Sequence, residues 1–215
     1  MKGRILFNQG AIDEFNAHWQ KGYSPEESQG RYRGMPKRKK MRSLEADRSV
    51  ATAVDWHQQY AALWPPDLVA ALWSPTSAPH EPDLLIQFLV EDPYFFRSGY
   101  AKEIAAKRLL RIDLSSKQLK AIADLCLDRL NGETRREYRS ICRLARLPNS
   151  VDFIKQLRIA LDDQSLRIRL HALWMTEAHG GHGNHGHAVL SGRGDGTTRL
   201  DAAKAYLNEC IAGSI

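Results

Sequence analysis

Four arginines between residues 136 and 146 recur at a spacing that places them on one side of a helix. They are Arg136, Arg139, Arg143 and Arg146, separated by three, four and three positions. At about 100° per residue they fall within one sector of about 80°. A guanidinium group stays charged and donates two parallel hydrogen bonds, which suits recognition of carboxylates and phosphates. The spacing predicts an outward-facing basic stripe that binds an acidic partner. The competing interpretation is a solvated face whose arginines pair with carboxylates of the same chain.

A second concentration of positive charge lies before residue 43. It comprises Arg31, Arg33, Lys37, Arg38, Lys39 and Lys40. The surrounding glycines, prolines and serines without apolar periodicity are typical of a mobile arm. Such an arm would add electrostatic attraction to an acidic protein or a nucleic acid, unless it is simply solvated. These two kinds of macromolecule are the predicted partners.

A glycine-rich tract holds the residues with metal-binding potential. His179, His182, His185 and His187 alternate with glycines. Neutral imidazoles in such a tract could gather around a transition metal. No helical HExxH motif or nearby cysteine fixes a coordination geometry, so a flexible polar connection is the favoured interpretation. We expect no cofactor.

No catalytic residue can be assigned from the sequence. A serine-nucleophile elbow, a phosphate-binding Walker loop and a CxxC pair are all absent. The three cysteines, Cys126, Cys142 and Cys210, are odd in number and widely spaced, which predicts free, buried thiols. The chain is therefore expected to bind rather than to catalyse.

The elements that would present the arginines are short helices. Ser115 or Ser116 is predicted to cap a helix that stops at Asn131 and Gly132 in a left-handed conformation. A second helix is predicted over 134–147, with the arginines outward and Tyr138, Ile141, Cys142 and Ala145 toward the core. A helix, a short turn and a basic helix also fit a DNA-binding helix-turn-helix. Nucleic-acid binding, by a regulator or a processing enzyme, is thus the alternative function.

Further helices are predicted on both sides of this pair. Expected ranges are 11–20, 43–63, 67–73, 83–91, 150–161, 164–178 and 198–211, and Asp92 with Pro93 is predicted to begin a helix that reaches about residue 110. The connections are short, so neighbouring helices should pack nearly antiparallel. The predicted fold is all-α. Residues 96–102 resemble residues 138–144 at an offset of 42 positions, which suggests a HEAT- or armadillo-like repeat, with an irregular helical bundle as the alternative.

Charge is distributed unevenly along the 215 residues, and the net charge is +6. Residues 1–50 and 97–175 carry net positive charge, whereas residues 51–96 contain six acidic side chains and no lysine or arginine. No apolar run is long enough for a signal sequence or a membrane span, which predicts a cytoplasmic protein with no membrane partner. The predicted organisation is a basic arm (1–42), a helical segment (43–73), a helical core (83–178), a Gly/His loop (179–197) and a terminal helix (198–215).

Overall fold

The computed structural model describes residues 7–22, 58–73, 81–135, 137–181 and 196–213. Within these ranges the regular structure is helical and no strand occurs, which confirms the all-α prediction for this part of the chain. The α-helices are α1 Gln9–Gly22, α2 Pro66–Trp73, α3 Pro82–Glu91, α4 Ser98–Leu109, α5 Ser116–Arg129, α6 Tyr138–Cys142, α7 Val151–Ala160, α8 Leu166–Gly180 and α9 Gly196–Ala212. A 3₁₀ helix, Arg143–Arg146, continues α6, and residues 58–62 are also helical.

Two predicted helix starts are confirmed in detail. The Ser115 hydroxyl accepts a hydrogen bond from the backbone N–H of Gln118, and the Gln118 side chain accepts one from the Ser115 N–H at 2.9 Å. This reciprocal arrangement is a capping box, and it selects Ser115 over Ser116 as the cap of α5. Ser150 caps α7 in the same manner by accepting from the Phe153 N–H at 3.3 Å.

Two predicted boundaries are wrong. Asp92 does not begin a helix; it ends α3 in the left-handed conformation, with φ 48° and ψ 45°, and its N–H donates to the Phe88 carbonyl. Aspartate tolerates this conformation better than most residues, and α4 starts only at Ser98. The left-handed stop predicted for α5 is also absent, because Leu130 is right-handed and Gly132 has no positive φ.

One apolar core runs through the described helices. α3 packs against α2, α4 and α5, and it buries Leu85, Phe88 and Leu89 completely. The 3₁₀ helix lies at the centre of the second half, where it contacts α4, α5, α6 and α8 and buries Leu144 and Ala145. α9 covers α7 and α8. The arginine-bearing segment is therefore fixed by packing on several sides.

Aromatic rings join the N-terminal elements to this core. The Trp64 ring lies 5.0 Å from Phe95 and 6.1 Å from Phe88, measured between centroids, and Phe7 lies 5.7 Å from Phe88. The Trp64–Phe95 pair is edge-to-face and the other two pairs are tilted, and such ring contacts add to the apolar burial of each ring. The described residues on the two sides of segment 74–82 thus share one core.

The repeat type stays a prediction. The two similar segments do not fall at equivalent places in the helices, because Ser98 begins α4 whereas its counterpart Ser140 lies in the middle of α6. In the part of the chain that the structure describes, no helix is both long enough and apolar enough to cross a bilayer.

Candidate binding groove

The predicted arginine-bearing helix over 134–147 is shorter and more irregular than its periodicity suggested. Regular α-helix begins at Tyr138 and gives way to 3₁₀ helix at Arg143. The start is delayed because Thr134 and Arg135 are held elsewhere: the Thr134 hydroxyl lies 2.8 Å from His171 Nε2, and Arg135 Nη1 lies 3.2 Å from Asp92 Oδ2. The single regular helix over 134–147 that the helix-turn-helix interpretation assumed is therefore not found in the described residues.

The end of the segment follows from Pro148. Proline has no N–H, so the ladder of i to i+4 hydrogen bonds cannot continue through it. The last turn tightens instead, and the Leu147 N–H donates to the Leu144 carbonyl at 3.0 Å, three residues back. The core face predicted for this segment is nevertheless confirmed, since Tyr138, Ile141 and Ala145 are each at most 2% exposed.

Three of the four predicted arginines line one open groove of ≈ 510 Å³. Arg139 and Arg143 are four residues apart across the α-helical turn, and Arg143 and Arg146 are three apart in the 3₁₀ helix, where such side chains eclipse. The three arginines therefore stay on one edge of the segment although the helix type changes at Arg143. Arg136 and the residues of the N-terminal arm, 31–40, lie outside the described residues.

The facing wall of the groove comes from α8, whose position relative to the arginines could not be predicted from local sequence patterns. It contributes Trp174, Glu177 and Ala178, with Gly181 just beyond the helix end and Cys142 between the two walls. The Trp174 ring lies 5.9 Å from His171 and 6.0 Å from Tyr138, and those two rings are 4.2 Å apart. This cluster of three tilted rings holds the partly exposed indole, which lines the same groove as the arginines.

The described carboxylates do not form ion pairs with the arginines of the groove. Among the described residues, no carboxylate lies within 4.0 Å of the Arg139, Arg143 or Arg146 guanidinium groups. Asp124 pairs with Lys120, and Asp128 pairs with Arg129.

The groove also contains a paired carboxylate and a buried guanidinium nitrogen. Glu177, which does line it, is held by Arg199 of α9, whose Nε donates to Oε1 at 2.9 Å. Arg146 Nε is buried without a hydrogen-bond partner in the structure. The described part of the groove therefore presents guanidinium groups that protein carboxylates leave unpaired.

The surroundings of the Cys142 thiol in the groove do not activate it as a nucleophile. Burial raises its pKa to about 12, and it also raises the pKa of Cys126. A thiol with a pKa this high stays protonated at neutral pH. All three cysteines are free, as predicted. Cys126 and Cys142 are also buried as predicted, whereas Cys210 is only half-buried.

The predicted histidine cluster is only partly described. His179 is not in a loop but in the last turn of α8, where it is buried and its Nδ1 lies 2.9 Å from the Tyr206 hydroxyl. Burial lowers the pKa of His179. His182, His185 and His187 lie outside the described residues. The described residues contain no cluster of three or more metal-ligating side chains.

Sequence reasoning missed a buried ionic junction behind the groove. The Lys102 ammonium group, fully buried, lies 2.5 Å from Asp92 Oδ1 and 3.4 Å from Glu137 Oε1. Asp92 also contacts Arg129 at 3.4 Å and Arg135 at 3.2 Å. One sequence signal was present: Lys102 shares a helix face with apolar residues such as Ala105 and Leu109, and a charge there must be paired.

This junction is structural. It joins the end of α3 to α4, α5 and the start of α6 through charges that neutralise one another. The small adjoining cavity of ≈ 180 Å³ is lined by two arginines, Arg129 and Arg135, and by three carboxylates, Asp92, Glu133 and Glu137. Asp92 of the acidic region 51–96 thus pairs with Lys102, Arg129 and Arg135 of the basic region 97–175. None of these three basic residues lines the groove.

No protein family, curated protein or solved structure matches this chain. The candidate function therefore rests on the residues of the groove and their surroundings.

Proposed function

We propose that this is a docking or adaptor protein that binds an acidic surface of another macromolecule through the groove lined by Arg139, Arg143 and Arg146. The single observation that supports it is that these arginines share one open groove while no described carboxylate pairs with them. Arg136 and the 31–40 arm are expected to add attraction.

The free-energy cost of placing three arginines side by side on one helix edge supports the same proposal. Like charges three and four residues apart on a helix destabilise it by a few tenths of a kcal/mol per pair. Carboxylates of a partner would offset this repulsion, because they accept hydrogen bonds from guanidinium groups in pairs.

The test is capture of partners from native lysate by the full chain, with and without nuclease. The double charge reversal Arg139→Glu/Arg143→Glu should abolish specific capture and leave thermal stability near that of the unmodified protein, because both side chains are exposed. Lys117→Glu/Lys155→Glu is the matched control, since these exposed lysines lie on α5 and α7 outside the groove. Unchanged capture by the arginine variant would contradict the proposal.

Nucleic-acid binding is the second candidate, and one observation favours it. The partly exposed Trp174 indole lies beside arginines in the groove, a combination that suits stacking of an unpaired base next to phosphate contacts. Affinity for a single-stranded oligonucleotide should then fall steeply as salt increases. A flat salt titration against duplex and single-stranded oligonucleotides would remove this candidate.

A further inference from the structure

We infer that the segment bound in the groove is an acidic peptide that carries a large apolar side chain beside its carboxylates, and that this side chain packs on Trp174. The inference rests on the proposed docking function and specifies its partner. It follows from the difference between the two walls of the groove.

The wall formed by α6 and the 3₁₀ helix supplies the positive charge. Arg139 and Arg143 are exposed, and Arg146 is partly exposed with its Nε buried and unpartnered. Each guanidinium group has the planar fork that binds one carboxylate through two parallel hydrogen bonds. Three such groups along one edge match carboxylates that are spaced along an extended or helical peptide.

The opposite wall carries partial negative charge from the C-terminal end of α8. Ala178 and Gly181 line it there, beside Glu177, whose carboxylate is already paired with Arg199. The C-terminus of a helix carries a partial negative charge from its last carbonyls. A polypeptide can satisfy both walls, because it combines acidic side chains with backbone N–H donors. The sugar-phosphate backbone of a nucleic acid carries a negative charge on every phosphate and would meet this wall unfavourably.

The apolar part of the groove is compact and rigid. The Trp174 indole is held by the His171 and Tyr138 rings and is flanked by Cys142 and Ala178. A preorganised aromatic surface beside charged groups is typical of the anchor positions that dominate binding energy. The groove volume of ≈ 510 Å³ lies in the range of about 300–1,000 Å³ usual for small-ligand sites, so it fits a short segment.

The experiment compares three fluorescein-labelled probes with the full chain by fluorescence anisotropy at low salt. They are the peptide Asp-Glu-Phe-Glu-Asp, its analogue Asp-Glu-Ala-Glu-Asp and a single-stranded oligo-dT. Burial of a phenylalanine side chain predicts that the Phe peptide binds about tenfold more tightly than the Ala peptide. Trp174→Leu, which keeps an apolar residue at this partly buried position, should reduce this ratio to about two or less, while Arg143→Glu should weaken both peptides.

The outcomes separate the inference from the proposed function. Equal affinity for the two peptides, or a ratio that survives in Trp174→Leu, overturns the inference. If Arg143→Glu still weakens binding in that case, the docking function stands. Tighter binding of oligo-dT than of either peptide overturns the peptide partner and favours nucleic acid. Failure of all three probes to bind up to millimolar concentration also overturns the inference, whereas loss of lysate capture in the arginine variant tests the docking function independently.

Discussion

Arg199 on α9 donates a hydrogen bond of 2.9 Å from its Nε to Oε1 of Glu177 on α8, and a second N–H of the same guanidinium group contacts that oxygen. Among the described residues that line the groove, Glu177 carries the carboxylate. The C-terminal helix therefore reaches the groove through one ion pair, and that pair shields incoming carboxylates from a like charge.

The first prediction concerns this pair. Arg199→Ala should lower the affinity for an acidic peptide by about two- to fivefold, the equivalent of one partly exposed ion pair. Glu177→Gln should raise the affinity, and Arg199→Ala/Glu177→Gln should restore it to near the original value. Anisotropy titrations at low salt measure all three. If the double variant binds as weakly as Arg199→Ala, Arg199 contacts the peptide itself rather than screening Glu177.

The second prediction concerns the buried junction. Lys102→Ala removes the ammonium group that lies between Asp92 and Glu137 and leaves their carboxylates without it in a mostly buried site. Breaking a buried pair from one side costs about 3–5 kcal/mol, so the free energy of unfolding measured by urea denaturation should fall by that amount. The matched control is Lys120→Ala, whose ion pair with Asp124 is exposed; its loss should cost less than about 1 kcal/mol. Similar losses in the two variants would show that the junction is not a major stabilising feature.

The third prediction concerns pH. Burial lowers the pKa of His179 below the ordinary value of 6.5, so the unfolded chain binds the proton more tightly than the folded protein does. The corresponding stability is present above about pH 6.5 and is lost as the pH falls through the lower pKa of the folded state. Urea midpoints should therefore decrease more steeply on acidification in the unmodified protein than in His179→Phe.

The control for that prediction is Tyr206→Phe. It removes the hydroxyl group that lies 2.9 Å from His179 Nδ1 and should cost about 1 kcal/mol at neutral pH. It should keep the pH dependence, because burial is the main cause of the pKa shift of His179. Equal pH dependence in the unmodified protein and in His179→Phe would show that other groups cause the acid instability.

The fourth prediction tests the cap of α5. Ser115→Ala removes the hydroxyl group that accepts from the Gln118 N–H, and loss of such an N-cap costs about 1 kcal/mol of unfolding free energy. Ser116→Ala, one residue later and exposed inside the helix, should change stability by less than about 0.5 kcal/mol. Thermal or urea unfolding of the two single variants makes the comparison, and the opposite ranking would contradict the capping box.

Local pattern predicted the helices well where capping and apolar periodicity agreed. α5 and α7 begin at the serine caps that the sequence indicated, and Ile122 and Cys126 are completely buried as their spacing required. Both features depend on residues within one or two turns, so the sequence contains the information directly. The pattern failed at Asp92, because a capping aspartate followed by proline fits a helix start as well as a helix end, and tertiary ion pairs with Lys102, Arg129 and Arg135 hold it in the left-handed conformation.

The arginine stripe shows what the sequence determined about the candidate site. The i, i+4 and i, i+3 spacing of Arg139, Arg143 and Arg146 keeps the side chains on one edge in either helix type, so their alignment was predictable although the helix was not. The wall that faces them was not predictable. Trp174 and Glu177 lie more than 25 positions further along the chain, and only the packing of α8 against the 3₁₀ helix brings them opposite the arginines. Periodicity reports which face of a helix is polar, whereas tertiary packing decides which charges on that face acquire partners.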